Sequence, residues 1–408
     1  MLTLLAMMFY KKSGGDFLGF IPATAYMLAI FCLAFFTKSL KDIYVNKKDI
    51  ATLLLCTIYL ASLLWSQAMT YGVEKLINIL LVIIAFSCCA ASLAKNFSFF
   101  IKINIFLFIL YNINLYLEYG FIGQLAEQLG TRFRLGWNDE GSAYNPISIA
   151  RYLTFGYINI AIYWFFLKPI KYSFTNLSTR ILVLATFSIS LVYLFLSGTK
   201  TPILAIGLTT FLFLVLNVNI KNKIRIGILF SPLILILFAA GSFNLFKNSM
   251  NESQVRFIEY RFFSPQTAID DRGLQAERAI EHIDWINFIV GSGGGDYGAL
   301  FTNKDTRDYP HNILLEVLYE NGILFLSALI LAIFYILKLL HKENRLIILY
   351  LSSVFIFYFI NSLFSGDLIA NNILFGFLFL LLNIKRYPLE INNKNTSKVT
   401  YKINGKFL

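Results

Sequence analysis

A chain of 408 residues that is 57% hydrophobic and only 14% charged excludes an ordinary soluble domain, whose surface needs more charge than this. The net charge of +12 does not point to nucleic acid, because Lys and Arg sit mostly in short connectors between apolar blocks, where they orient helices. The four cysteines, Cys32, Cys56, Cys88 and Cys89, lie inside apolar blocks with no CxxC pair, so neither a disulfide framework nor a metal site is expected.

Taken in chain order, Met1–Tyr10 is apolar but too short to cross a bilayer alone, and it lacks the basic start and cleavage site of a signal peptide. Apolar blocks of membrane-crossing length then follow at 19–37, 50–66, 73–94, 98–118, 147–167, 180–196, 201–218, 223–244, 312–339, 344–363 and 367–383. The predicted fold is an all-α polytopic membrane protein with about 11–12 transmembrane helices, the twelfth depending on Met1–Tyr10. N-terminal spans fill 1–244 with a first outer loop at 119–146, a large outer loop fills 245–311, C-terminal spans fill 312–383, and 384–408 is a polar tail.

Alternate connectors differ in charge. One set carries Lys38, Lys41, Lys47 and Lys48, then Lys95 and Lys102, Lys168 and Lys171, Lys221 and Lys223, Lys342 and Arg345, and finally Lys385 and Arg386. The short members of the other set, around 67–72, 197–201 and 364–367, hold one basic residue, Lys200, with Lys75 just past the first. The positive-inside rule makes the tail cytoplasmic and both long loops external, with Lys11 and Lys12 as the exception.

Within the large loop, DDRGLQAERAIEHIDWINFIVG predicts one amphipathic helix lying on the bilayer or on the membrane domain. Its stripe is Ala276, Ile280, Ile283, Ile286 and Val290, and Asp270 or Asp271 is placed to cap it. The run Gly291–Gly295 fits a flexible hinge better than a phosphate cradle, since no Walker lysine and serine follow.

The segment DYPHNILLEVLYENGI is the most informative. Pro310 suits a first helical position, which starts a helix at His311 with free N–H groups and a positive dipole end suited to phosphate. The same dipole favours neutral imidazole. Asn312, Glu316 and Glu320 then share one face, and carboxylates on an apolar helix need a polar cavity or a cation. Other basic residues belong to the same side: Arg132 and Arg134 in the first loop, Arg151 early in the next span, Lys200 before Pro202, and Arg272 and Arg278 in the large loop. Together they suit an anionic headgroup, pyrophosphate above all. His282 and His341 are bystanders, and the three scattered histidines without cysteine partners argue against zinc.

Three segments, LSGTKTPILA, DDRGLQAERAIEHIDWINFIVGSGGGDYG and YPHNILLEVLYENGI, in this order and spacing, resemble the bacterial O-antigen polymerase (Wzy-type) and O-antigen ligase superfamily; Asn145–Ser148 is similar to a further family feature. The resemblance covers about Arg132 to Leu382. It implies a membrane glycosyltransferase of the bacterial inner membrane, facing the periplasm, that moves a glycan from undecaprenyl pyrophosphate without metal or nucleotide cofactor. It implies catalytic roles for His311, Arg272 and Lys200, the last standing where the family has arginine, and pyrophosphate contacts from Arg132, Arg134, Arg151 and Arg278. Asn312 and Glu316 would support His311 and the substrate. The continuation LLEVLYENGI is more similar to the polymerases, which elongate a lipid-linked repeat unit, than to the ligases, which use lipid A–core. A chain-length regulator and a repeat-unit flippase are implied partners beside membrane lipid. The alternative of another class is a lipid-linked oligosaccharide flippase or transporter, against which stands the absence of visible internal symmetry.

Overall fold

The computed structural model describes residues 56–119, 146–162, 177–196, 199–216, 266–302, 308–342 and 346–384. Its helices are α1 (Met69–Lys95), α2 (Phe97–Tyr119), α3 (Pro146–Ile162), α4 (Leu177–Leu196), α5 (Lys200–Leu216), α6 (Gln266–Glu281), α7 (Trp285–Val290), α8 (Ala299–Thr302), α9 (Ile313–Lys342), α10 (Leu346–Ser362) and α11 (Asn372–Ile384). Helical residues 56–62 precede α1, and no strand occurs among the described residues. The stretches Met69–Ser87, Phe97–Leu117 and Ile313–His341 are long and apolar enough to cross a membrane. The chain is an all-α polytopic membrane protein. The expected spans at 19–37 and 223–244, the segment Met1–Tyr10 and all but the first residue of the 384–408 tail lie outside the described residues.

α10 forms the centre. Every side chain from Ile347 to Tyr358 is buried, as expected of a helix that is apolar all round. It packs against α5, α9 and α11, while α11 lies along α1 and α3 joins α2 to α4 and α5. One continuous core runs through Phe108, Phe155, Tyr350, Phe355, Phe357 and Phe377. Buried Asn104, Asn112, Asn159 and Asn361 each donate their amide to the carbonyl four residues back. This back-bonding gives a polar side chain a partner where water is scarce. Asn159 also accepts from the Tyr350 hydroxyl at 2.8 Å, tying α3 to α10.

Three predicted boundaries change. The loop helix is not continuous: Asp284 caps a new helix by accepting from the Asn287 N–H at 2.6 Å, so α6 and α7 are separate. Asp270 and Asp271 fall inside α6 rather than at its start, because α6 already begins at Gln266, directly after Pro265 in the sequence. The last expected span, 367–383, begins as a buried turn in which Asp367 accepts from the Ala370 N–H at 2.6 Å, and α11 starts only at Asn372.

Candidate functional site

The turn before α1, the starts of α3 and α9, and the connector between α10 and α11 converge at one end of the bundle, joined by buried polar side chains. Lys75, in the second turn of α1, is 0% exposed and donates to Glu316 and Glu320 of α9 at 2.6 Å each. Its ammonium also sits 4.5 Å from the centre of the Tyr71 ring. Glu316 Oε1 accepts a further bond from the Leu368 N–H at 3.2 Å, which attaches the α10–α11 connector. In the same connector Asp367 accepts from the Tyr71 hydroxyl. Arg151 of α3 donates to the carbonyls of Ser365 at 3.0 Å and Ala370 at 3.4 Å. These connectors belong to the set with little positive charge, so the alternation in the sequence and the geometry place them together.

The glycine run fastens the large loop to this end. Instead of a hinge or an anion cradle it is a packed plug with residues Gly291 and Gly293 to Gly298 buried. α9 breaks at Gly322, whose φ of 73° and ψ of −176° suit glycine alone. The break withdraws the Tyr319 and Glu320 carbonyls from the helical ladder, and the N–H groups of Ser292 (2.8 Å) and Gly293 (3.1 Å) bond them instead. On the other side the loop meets the turn before α1. Trp65 Nε1 donates to the Gly291 carbonyl at 3.2 Å, the Ser66 hydroxyl to that of Gly294 at 2.9 Å, and the Gln67 N–H to Asp296 Oδ1 at 2.7 Å. Burial holds the Asp296 carboxyl above its usual range, opposed by the backbone N–H groups of Gln67 and Ala68. Tyr297, whose hydroxyl burial pushes upward in pKa, donates to the Gln275 carbonyl at 2.8 Å and packs with Ala279 of α6 and Tyr319 of α9 in one buried cluster.

His311 precedes α9 rather than opening it. Its φ of 56° places it in the left-handed region, with its ring 4.5 Å from that of Tyr309 in an edge-to-face contact. The helix begins at Ile313 because Asn312 caps it, Oδ1 accepting the N–H groups of Leu314 (3.0 Å) and Leu315 (3.3 Å). The free amides expected there for phosphate are therefore taken in part by Asn312. His311 is left half-buried on a turn between a buried proline and a capped helix. A left-handed, non-glycine residue is a modest strain, and such strain gathers at functional positions.

Several predicted site residues are brought together and others are not described. Asn312, Glu316 and His311 share the start of α9, and Arg151 is within electrostatic range of Tyr309 and Asp367. Arg151 spends both terminal nitrogens on carbonyls, which makes it a brace for the connector. Glu316 serves Lys75 and Leu368. Lys200 is the first residue of α5, Arg272 lies early in α6 and Arg278 is exposed in its last turn; the side chains of Lys200 and Arg272 are outside the described set, as are Arg132 and Arg134 altogether. Both α5 and α6 pack against α9. Sequence reasoning missed Lys75. The available signal was a lysine one turn inside an apolar helix, which requires a counter-ion, and a pair of carboxylates four residues apart on another. Among the described residues no group of His, Cys, Asp and Glu is arranged to hold a metal.

Residues 185–330 match the sequence model of a family described as O-antigen ligase. The matched stretch runs from α4 into α9 and contains Lys200, Arg272, Arg278, His311, Asn312 and Glu316, but neither Lys75 nor Arg151. No curated protein and no solved structure matches the chain.

Proposed function

We propose, from the match of residues 185–330 to the O-antigen ligase family, that the chain is a membrane glycosyltransferase of the O-antigen ligase and polymerase superfamily and that it polymerises a surface polysaccharide. The donor is a glycan on undecaprenyl pyrophosphate, the acceptor a hydroxyl of a second lipid-linked repeat unit, and the site faces the periplasm from the inner membrane. Support comes above all from the placement of His311. It stands on a left-handed turn at the bundle end where the connectors converge, preceding a helix against which α5 and α6 both pack.

In the proposed reaction the acceptor oxygen forms a bond to the donor C1 as the C1–O bond to pyrophosphate breaks. His311 takes the hydroxyl proton. Arg272 and Lys200, with Arg132, Arg134 and Arg278 around them, hold the pyrophosphate and stabilise the charge it gains on leaving. The leaving group needs no acid, and attack opposite to it inverts the anomeric centre. Asn312 and Glu316 act by fixing where α9 begins and how it sits, and Arg151 by bracing the connector beside it.

His311→Ala and Arg272→Ala are each expected to abolish chain growth while the protein still inserts in the membrane. The readout is the ladder of surface polysaccharide on a gel, and a normal ladder from either variant removes that residue from the mechanism. Lys200→Arg should keep activity, because it restores the fork while conserving the charge; a dead but well-folded variant would show that more than charge matters there. A second reading is ligase, since the matched family, described as O-antigen ligase, is common to both activities. Purified protein given lipid-linked repeat alone should lengthen it. Transfer only when lipid A–core is supplied would make it a ligase, and no transfer in either case would favour a flippase.

A further inference from the structure

We propose that α7 is a foot sunk into the bilayer, seated among the phospholipids of the leaflet on the large-loop side. α7 turns Trp285 (75% exposed), Ile286 (67% exposed), Ile289 and Val290 outward from the protein. Trp285 and Phe288 stack with their ring centres 6.0 Å apart, so the apolar side chains form a patch rather than isolated points. In water such a patch would be a liability.

Its depth identifies what covers it. The plug fixes the end of α7 against the break in α9: the Gly291 N–H lies 2.9 Å from where a Cβ on Gly322 would stand, and the Ser292 N–H bonds the Tyr319 carbonyl at 2.8 Å. From Gly322 to Lys342 the helix rises about 30 Å, the thickness of a hydrocarbon core. The break, and α7 beside it, therefore stand at the hydrocarbon boundary. Other side chains near that level agree. Trp65, which bonds the Gly291 carbonyl, is about half exposed; Leu64 is 83% exposed; and Leu324, two residues past the break, is 60% exposed. Indoles concentrate at the boundary, where an apolar ring meets lipid and its N–H finds a polar partner. The patch thus continues the lipid-facing surface of the spans, and a short amphipathic helix there lies in the interface. Since only three residues separate α6 from α7 and α6 packs on α9, mooring α7 also restrains the helix that carries Arg272 and Arg278, to which the proposed function gives the lipid-borne pyrophosphate. That last consequence rests on the proposed function; the mooring does not.

The test uses the full-length protein in phosphatidylcholine–phosphatidylglycerol vesicles, comparing tryptophan emission of the wild type with Trp285→Phe. The difference between them isolates Trp285, and the substitution exchanges one exposed ring for another. In vesicles whose lipids are brominated on the acyl chain near the headgroup, this component should lose most of its intensity, and aqueous iodide should leave it largely intact. Loss to iodide with no response to brominated lipid would place α7 in water and overturn the proposal. Resistance to both quenchers would mean that protein covers the patch, which also overturns it. Neither measurement depends on glycan transfer, so an inactive protein would leave this result unaffected.

Discussion

Lys75→Met is expected to be the most damaging single substitution in the described part of the chain, lowering stability by about 3–5 kcal/mol. It strands two carboxylates, Glu316 and Glu320, in a region where all three side chains are 0% exposed. Removing one partner of a buried ion pair costs far more than the pair contributes, because the remaining charge keeps its desolvation penalty. Glu316→Gln should be much milder, since Lys75 retains Glu320 at 2.6 Å and an amide oxygen can still accept from the Leu368 N–H. The triple variant Lys75→Met, Glu316→Gln, Glu320→Gln should recover most of the lost stability, having no buried charge left. Thermal unfolding in detergent, followed by size-exclusion profile, orders the variants. A Lys75→Met protein that melts with the wild type would show that the triad does not hold α1 to α9. Glycan transfer by the refolded triple variant then reports whether the charges contribute anything beyond holding the helices.

Gly322→Ala should be the most damaging change at the loop clamp. The break in α9 has φ 73° and ψ −176° at this residue, a conformation that costs a non-glycine residue about 1–3 kcal/mol before any clash is counted. A Cβ would also collide with the carbonyl of Ile289, and both backbones are fixed, since the loop supplies the bonds that the break removes from Tyr319 and Glu320. Two outcomes are available to such a variant: lower stability, or a straightened α9 that expels the plug and loosens the large loop. Limited proteolysis within 266–302 distinguishes them, and either should reduce activity by displacing α6. Gly273→Ala is the matching control. It lies within α6 with nothing near its Cβ position, so alanine should be neutral or stabilise by about 0.5–1 kcal/mol. Equal behaviour of the two variants would mean that the break at Gly322 is not structurally required.

The amino-acid sequence by itself determined the class of protein, most of the described helices and, to within two residues, where α9 begins. Expected spans at 73–94, 98–118, 180–196 and 344–363 differ by only a few residues from Met69–Lys95, Phe97–Tyr119, Leu177–Leu196 and Leu346–Ser362. Hydrocarbon thickness fixes span length, and each membrane helix satisfies its own backbone, so local composition is enough to find it. The start of α9 was legible to within two residues from Pro310, but the cap at Asn312, which leaves His311 on a left-handed turn ahead of the helix, was not read there. Tertiary structure alone decided what the polar groups meet. Lys75 lies 241 and 245 residues from its partners, and the face shared by Glu316 and Glu320 told only that some cation was needed. The glycine run gave no hint that helices would close on it from two sides. Likewise, Ile280 and Ile286 followed the spacing of a buried stripe and ended exposed, while Ala279, the neighbour of Ile280, is fully buried. Periodicity records which side chains share a face, but the partner of that face is set by segments far away in the chain, whose approach no local pattern encodes.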